Sequence, residues 1–444
     1  MSIFSAYASV ISTHRTRIQL AIGVILLAAT LLRLGSLFQN TIFIDYLAYC
    51  DTTQAIMGGR NPYVLQNLRY HDWGEVPIVY PGYVLFFQLI AKNPQQFQIT
   101  YLLLSIIFLF GTLTLLLTKT CLRNEIQPLR QAHGFLIYSL VIFAFFNASP
   151  TLATLRQGQT TSIIFFCLFM MLIGPRQFPR YLLFGTAAIM KYSLLTIWAP
   201  LLFFKKYYTL CLIAFLFFIG AGLYCVVYYP DIIALIAAYL HELTQSTSGG
   251  LNTYSVSGYN MLHLDFIKSS GLAASLKIAF LIGGIGLFLK ERKQQQISLY
   301  LLFSATCLTM LISYHRVYDV IILLPFLSLF CYEFLVTRKY RLLAICLVFQ
   351  VYFLIPESMV FKISDLLGMH VIFLEQWLHL SHYEEWHHLL PTHAIVMLLM
   401  TGFAYYLNLA HTGLYCFDLV GSGIKCAATA PHDEHSNFHA TPVG

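Results

Sequence analysis

Asp45 stands a few residues beyond the first long apolar run, within Phe43-Ile44-Asp45-Tyr46-Leu47-Ala48-Tyr49-Cys50-Asp51. A carboxylate just outside a membrane and flanked by aromatic rings is poorly solvated, which raises its proton affinity and suits it to act as a general base. A helix-capping or solvated Asp is the commoner role for such a residue, so position alone does not decide. The same loop continues through Gly58-Gly59-Arg60-Asn61-Pro62-Tyr63, then Asp72, Glu75 and Tyr80-Pro81. Further along, Arg156-Gln157-Gly158-Gln159 opens an apolar run with a cation, two amides and a glycine that allows close backbone approach. Lys191 lies among apolar residues, where an ionisable side chain is costly and marks a substrate or ion path. Snorkelling to the interface is an equal alternative for it. Ser313-Tyr314-His315-Arg316-Val317-Tyr318-Asp319 sets a His, an Arg and an Asp between two apolar runs. Cations and a His opposite a carboxylate suit a substrate that carries a phosphate at the membrane surface and a hydroxyl to be deprotonated nearby.

The elements that position these groups are dictated by composition. The chain has 444 residues, 58% hydrophobic and 10% charged, with a mean hydropathy of +0.70. Soluble globular proteins carry about 25% charged residues, so a soluble enzyme is excluded and a polytopic membrane protein is expected. Apolar runs lie near 18–38, 98–118, 134–148, 160–174, 181–204, 207–229, 272–289, 297–313, 318–336, 341–355 and 391–410. The net charge of +7 reflects basic connections: Lys119, Arg123 and Arg130; Arg176 and Arg180; Lys205 and Lys206; Lys290, Arg292 and Lys293; Arg338, Lys339 and Arg341. These belong at the cytoplasmic face, and the excess is not a nucleic-acid footprint.

Keeping every basic cluster inside makes 181–204 cross twice, as two short or broken helices that turn back near Lys191. It also demotes 79–92, too short to span, to a helix lying along the outer surface. The expected fold is therefore an all-α integral membrane protein, a bundle of about 11–13 transmembrane helices with both termini cytoplasmic. The ten cysteines lie mostly inside apolar runs and give no disulfide framework. The polar tail 421–444 is expected to be disordered.

The order of these features resembles glycosyltransferase family 87. They are Asp45 after helix one, Gly58 to Tyr63, Tyr80-Pro81, Gly158-Gln159, Lys191 after Ala187-Ala188, and His315 before Leu323-Leu324-Pro325. That family comprises integral-membrane mannosyltransferases of the GT-C superfold that take a polyprenyl-phosphate sugar as donor. The resemblance covers residues 18 to 330. It implies a GT-C-like bundle with a helical first outer loop, arranged as a catalytic module over 1–338, C-terminal helices with an outer loop 356–390 over 339–420, and the tail. It also implies that Asp45 is the base for an acceptor hydroxyl and that Lys191 and His315 face the donor's lipid phosphate. Arg316, Gln159, Arg60, Asn61, Tyr63, Tyr80 and Arg156 are further candidates for substrate contact.

Two departures from the family pattern are Tyr80-Pro81-Gly82, where Tyr-Pro-Pro is usual, and a late turn poor in Trp and His. No cofactor is expected beyond the lipid-linked donor, which is itself a substrate; the acceptor is a lipid or glycan. No metal is expected either, because Asp45 and Asp51 do not form the tight acidic pair that metal-using relatives carry. The histidines at 379, 382, 387, 388 and 393 match no zinc spacing. The implied setting is a bacterial inner membrane with the site facing the periplasm. A transporter or flippase of a polyprenyl-linked or other lipid is the rival class, since charges within spans also mark conduction paths. A membrane ligase using lipid-linked sugars is a further rival, with 356–390 as its only large late loop.

Overall fold

The computed structural model describes residues 3–40, 43–69, 79–119, 132–173, 177–191, 207–247, 262, 264, 270–292, 297–312, 317–356, 358–360, 362–363, 392–410, 415–418 and 423–426. Helices dominate: α1 (Ile3–Asn40), α2 (Ile44–Met57), the single turn α3 (Val84–Phe87), α4 (Pro94–Lys119), α5 (Ala132–Asn147), α6 (Ser149–Gln157), α7 (Thr161–Ile173) and α8 (Gln177–Met190). They continue with α9 (Tyr208–Tyr224), α10 (Ile232–Thr247), α11 (Ser270–Arg292), α12 (Leu299–Ile312), α13 (Leu324–Val336), α14 (Tyr340–Leu354) and α15 (Thr392–Ala410). Large apolar side chains such as Leu31, Leu32, Ile107, Val227 and Ile233 face outward along these helices. Only a lipid solvent makes that arrangement favourable, and the chain is an integral membrane protein.

Among the described residues, five helices are long and apolar enough to cross a bilayer: 14–39, 94–118, 208–227, 271–292 and 392–410. The bent pair α5–α6 adds a sixth if it is one span; its axis turns by 56° at Ala148, where Pro150 in the next turn has no N–H to continue the ladder. The other apolar helices run 10–17 residues. Thus α7, with 13 residues, rises about 20 Å against a hydrocarbon core of about 30 Å, and most of its residues are buried inside the protein. Among the described residues, the short apolar helices are thus interior packing elements as much as candidate spans.

Three expectations are corrected. Residues 79–92 are not a surface helix. They form a 3-10 turn at Pro81–Tyr83, the single turn α3 and a second 3-10 turn at Ile90–Lys92, with Pro81, Gly82, Tyr83, Val84, Phe87 and Ala91 buried against α2 and α9. Arg180 is fully buried within α8, not set in a cytoplasmic loop, because that helix already starts at Gln177. The tail expected to be disordered supplies a strand: β1 (Ile297–Ser298), β2 (Tyr415–Asp418) and β3 (Gly423–Cys426) form a small antiparallel sheet, in the order β1-β2-β3, beside the helical body.

The segment after α1 is helical, as α2, and the core runs through α4, α7, α12 and α13. α1 packs along α5, α7 lies between α4 and α8, and α15 packs on α12. Buried carboxylates fasten the later elements. Glu291 of α11 accepts the Ser298 N–H at 3.0 Å, and Glu333 of α13 accepts the Tyr300 hydroxyl of α12 at 2.6 Å.

Candidate functional site

Phe43 opens α2 in the left-handed region (φ 51°), and its N–H donates to the Arg156 carbonyl at 3.0 Å. Left-handed backbone is costly for a bulky residue and persists only where surrounding contacts hold it. The facing stretch of chain turns the same way: Gly158 caps α6 at φ 70°, and a Cβ there would lie 2.6 Å from the Cβ of Tyr46. Glycine is required at 158 by both the backbone angle and the contact. These two left-handed residues lock the start of α2 onto the α6–α7 junction, which places Asp45, in the first turn of α2, beside Gln159.

Gln159-Thr160-Thr161 then reaches three different elements in succession. The Gln159 amide nitrogen donates to Asp45 Oδ2, and its carbonyl oxygen accepts the Tyr49 hydroxyl at 2.7 Å. The Thr160 hydroxyl meets the Tyr83 hydroxyl at 3.1 Å, and Tyr83 also bonds the Met190 carbonyl at the end of α8. Thr161 Oγ donates to Asp319 Oδ1 at 3.0 Å, and the other oxygen of Asp319 takes the Lys191 ammonium in an ion pair. The Tyr49 and Tyr83 rings are 5.3 Å apart, closing the cluster from the other side. Asp45 and Lys191, far apart in sequence, are thus both tied to the segment that opens α7, Asp45 directly through Gln159 and Lys191 through Asp319 and Thr161.

Electrostatically the cluster is two carboxylates and one ammonium in low-dielectric surroundings. The side chain of Asp319 is 0% exposed and that of Lys191 19%. Neighbouring groups of α2 are held neutral by burial: the Cys50 thiol is pushed up to about 12, and the Tyr46 hydroxyl is raised as well. The expectation for Lys191 is a ligand phosphate. It is paired with Asp319 just after the end of α8; residues 192–206, which carry the expected return limb, lie outside the described residues.

The other candidates fall into four groups. Asn61 accepts the Tyr63 N–H at 2.9 Å through its side chain, a turn-forming bond, while Arg60 is exposed. Tyr63 donates to the Val79 carbonyl at 2.6 Å, and Tyr80 donates to the Phe218 carbonyl at 2.8 Å with its ring stacked on Phe218 at 4.0 Å. Both hydroxyls are raised by burial, and their described contacts tie the first loop to α9 and α10 rather than to Asp45. Arg156 is half-buried at the end of α6, next to the cluster through its carbonyl. His315 and Arg316 lie outside the described residues, as do Asp72 and Glu75. Asp51 holds the loop backbone by accepting the Arg69 N–H. Among the described residues no group of three or more His, Cys, Asp or Glu side chains is placed to hold a metal ion.

Sequence reasoning misses Tyr49, Tyr83, Thr160, Thr161 and Asp319 as members of the assembly. Tyr49 is detectable in retrospect as the i+4 neighbour of Asp45 on one helix face. Asp319 answers the question of what neutralises a lysine in an apolar segment. In comparisons with known proteins, no family model, no curated protein and no solved structure matches the chain.

Proposed function

We propose that the chain is a polyprenyl-phosphate-sugar-dependent hexosyltransferase of the membrane. It moves a hexose, mannose by the family resemblance, to a lipid or glycan acceptor at the outer, periplasmic face. The observation that carries the reading is the shared assembly of Asp45, Gln159 and Lys191, three residues selected separately from the sequence, around one helix N-terminus. In the reaction the acceptor hydroxyl oxygen bonds to the anomeric carbon while Asp45 takes the hydroxyl proton. The bond from that carbon to the phosphate oxygen breaks, and its electron pair leaves with polyprenyl phosphate. Lys191, with His315 and Arg316, complements the charge of the leaving phosphate.

The ion pair also favours a second reading. A buried Lys–Asp pair beside a helix end is what an ion- or proton-coupled carrier sets on its path. One experiment separates the two. Purified protein is incubated with polyprenyl-phosphate mannose, then with the glucose analogue, and polyprenyl phosphate is measured by mass spectrometry. In parallel, proteoliposomes are assayed for movement of the same lipids between leaflets. Release with a new glycosidic product supports the transferase, and leaflet exchange without release supports the carrier.

A further inference from the structure

Asp45 and Tyr49 are one helical turn apart on α2, and a single side chain spans them. An amide has a donor end and an acceptor end, and which end faces a carboxylate decides whether the contact is attractive. At Gln159 that choice is set by Tyr49, whose hydroxyl donates to the amide oxygen at 2.7 Å and so presents the NH2 group to Asp45 Oδ2. Gln159 is 4% exposed, which limits the water that could replace either bond. Its backbone is anchored independently, through its own N–H to the Thr154 carbonyl at 3.0 Å, and the preceding segment is held by the Phe43 N–H to the Arg156 carbonyl.

We propose that Tyr49 and Gln159 are positioning residues for Asp45: a run of donors from the phenol through the amide fixes the orientation of the carboxylate and favours its charged form. What that orientation serves rests on the transferase reading, whereas the clip stands on the contacts alone. The elements packed on α2 carry Tyr80, Tyr83, Lys92, Tyr101 and Arg156, and α2 itself carries Tyr46, Cys50 and Asp51. None of these changes in the variants below, so a shift in the titration of Asp45 reports the clip.

A hydrophobic carbodiimide modifies carboxyl groups in their protonated form. The test follows modification of the Asp45 peptide by mass spectrometry against pH, in the full-length protein in detergent. Gln159→Leu is expected to raise the midpoint by about one pH unit, tenfold in proton concentration, the size of one charge-assisted hydrogen bond. Tyr49→Phe keeps the ring and should raise it by less, in the same direction. A role confined to packing would leave the Tyr49→Phe midpoint at the wild-type value, and that result overturns the proposal whatever Gln159→Leu does. Should Gln159→Leu fail to elute as a folded particle, Tyr49→Phe carries the test alone. Polyprenyl phosphate release by the wild type is measured beside it. Shifted midpoints without release leave the clip standing and remove the transferase reading; release with unshifted midpoints does the reverse.

Discussion

Lys191→Met is expected to cost more stability than Lys191→Met combined with Asp319→Asn. Asp319 is fully buried, and its two oxygens are held by the Lys191 ammonium and by Thr161 at 3.0 Å. Breaking a buried pair from one side costs about 3–5 kcal/mol, because the remaining charge keeps its desolvation penalty. Lys191 is 19% exposed, which screens part of the interaction and points to the lower end, about 3 kcal/mol. In the double variant no charge is stranded, and the carboxamide that replaces the Asp319 carboxylate still accepts from Thr161. A residual loss of about 1 kcal/mol then remains, so the second substitution recovers about 2 kcal/mol of the loss. Thermal unfolding in detergent is followed with a thiol-reactive fluorophore, since Cys50, Cys167, Cys225, Cys307 and Cys346 are buried free thiols that react on opening. The double variant should unfold between the wild type and Lys191→Met, while its affinity for polyprenyl-phosphate hexose stays as weak as that of the single variant. A double variant no more stable than Lys191→Met would refute the energetic reasoning. Restored stability together with restored donor binding would refute the assignment of Lys191 to the phosphate.

Three further outcomes follow from the same geometry. Gly158→Ala puts a methyl group 2.6 Å from the Tyr46 Cβ at φ 70°, so thermal unfolding should show a loss of about 1–3 kcal/mol and transfer should fall with it. Tyr101 is buried in α4 with a hydroxyl that lacks a partner among the described residues, so Tyr101→Phe should leave thermal stability unchanged or raise it by up to about 1 kcal/mol. Transfer should persist in excess EDTA, because the phosphate charge is met by side chains; complete loss with rescue by magnesium or manganese would contradict that.

Much of the candidate site is legible in the sequence as residues but not as contacts. Asp45, Gln159 and Lys191 stand out because each is a polar or ionisable group beside apolar sequence, and burial of such groups is costly without a purpose. Their pairing is not legible: Asp45 and Gln159 are 114 residues apart, and what joins them is a left-handed Phe43 facing a left-handed Gly158, a backbone feature that no side-chain pattern at 43 announces. Lys191 reads as a ligand contact when its own neutralisation is left out, and Asp319 supplies that neutralisation from 128 residues away. The 79–92 stretch misleads for a related reason. Its apolar content suggests one helix, but Pro81-Gly82 breaks the regularity, and its tyrosine hydroxyls find carbonyls on neighbouring elements, which lets short turns be buried. Helix positions follow hydropathy well, and α7 and α12 add apolar helices whose residues are mostly buried inside the protein.

The central claim is that Asp45 removes the proton of an acceptor hydroxyl, and Asp45→Asn addresses it most directly. The substitution keeps the size of the side chain and can still bond Gln159, so the assembly around α7 should stand while the base is lost. Single-turnover transfer from polyprenyl-phosphate mannose, measured with donor affinity on the same preparation, should fall about 100- to 10,000-fold with affinity within a few fold of the wild type. Near-normal turnover in Asp45→Asn would contradict the claim.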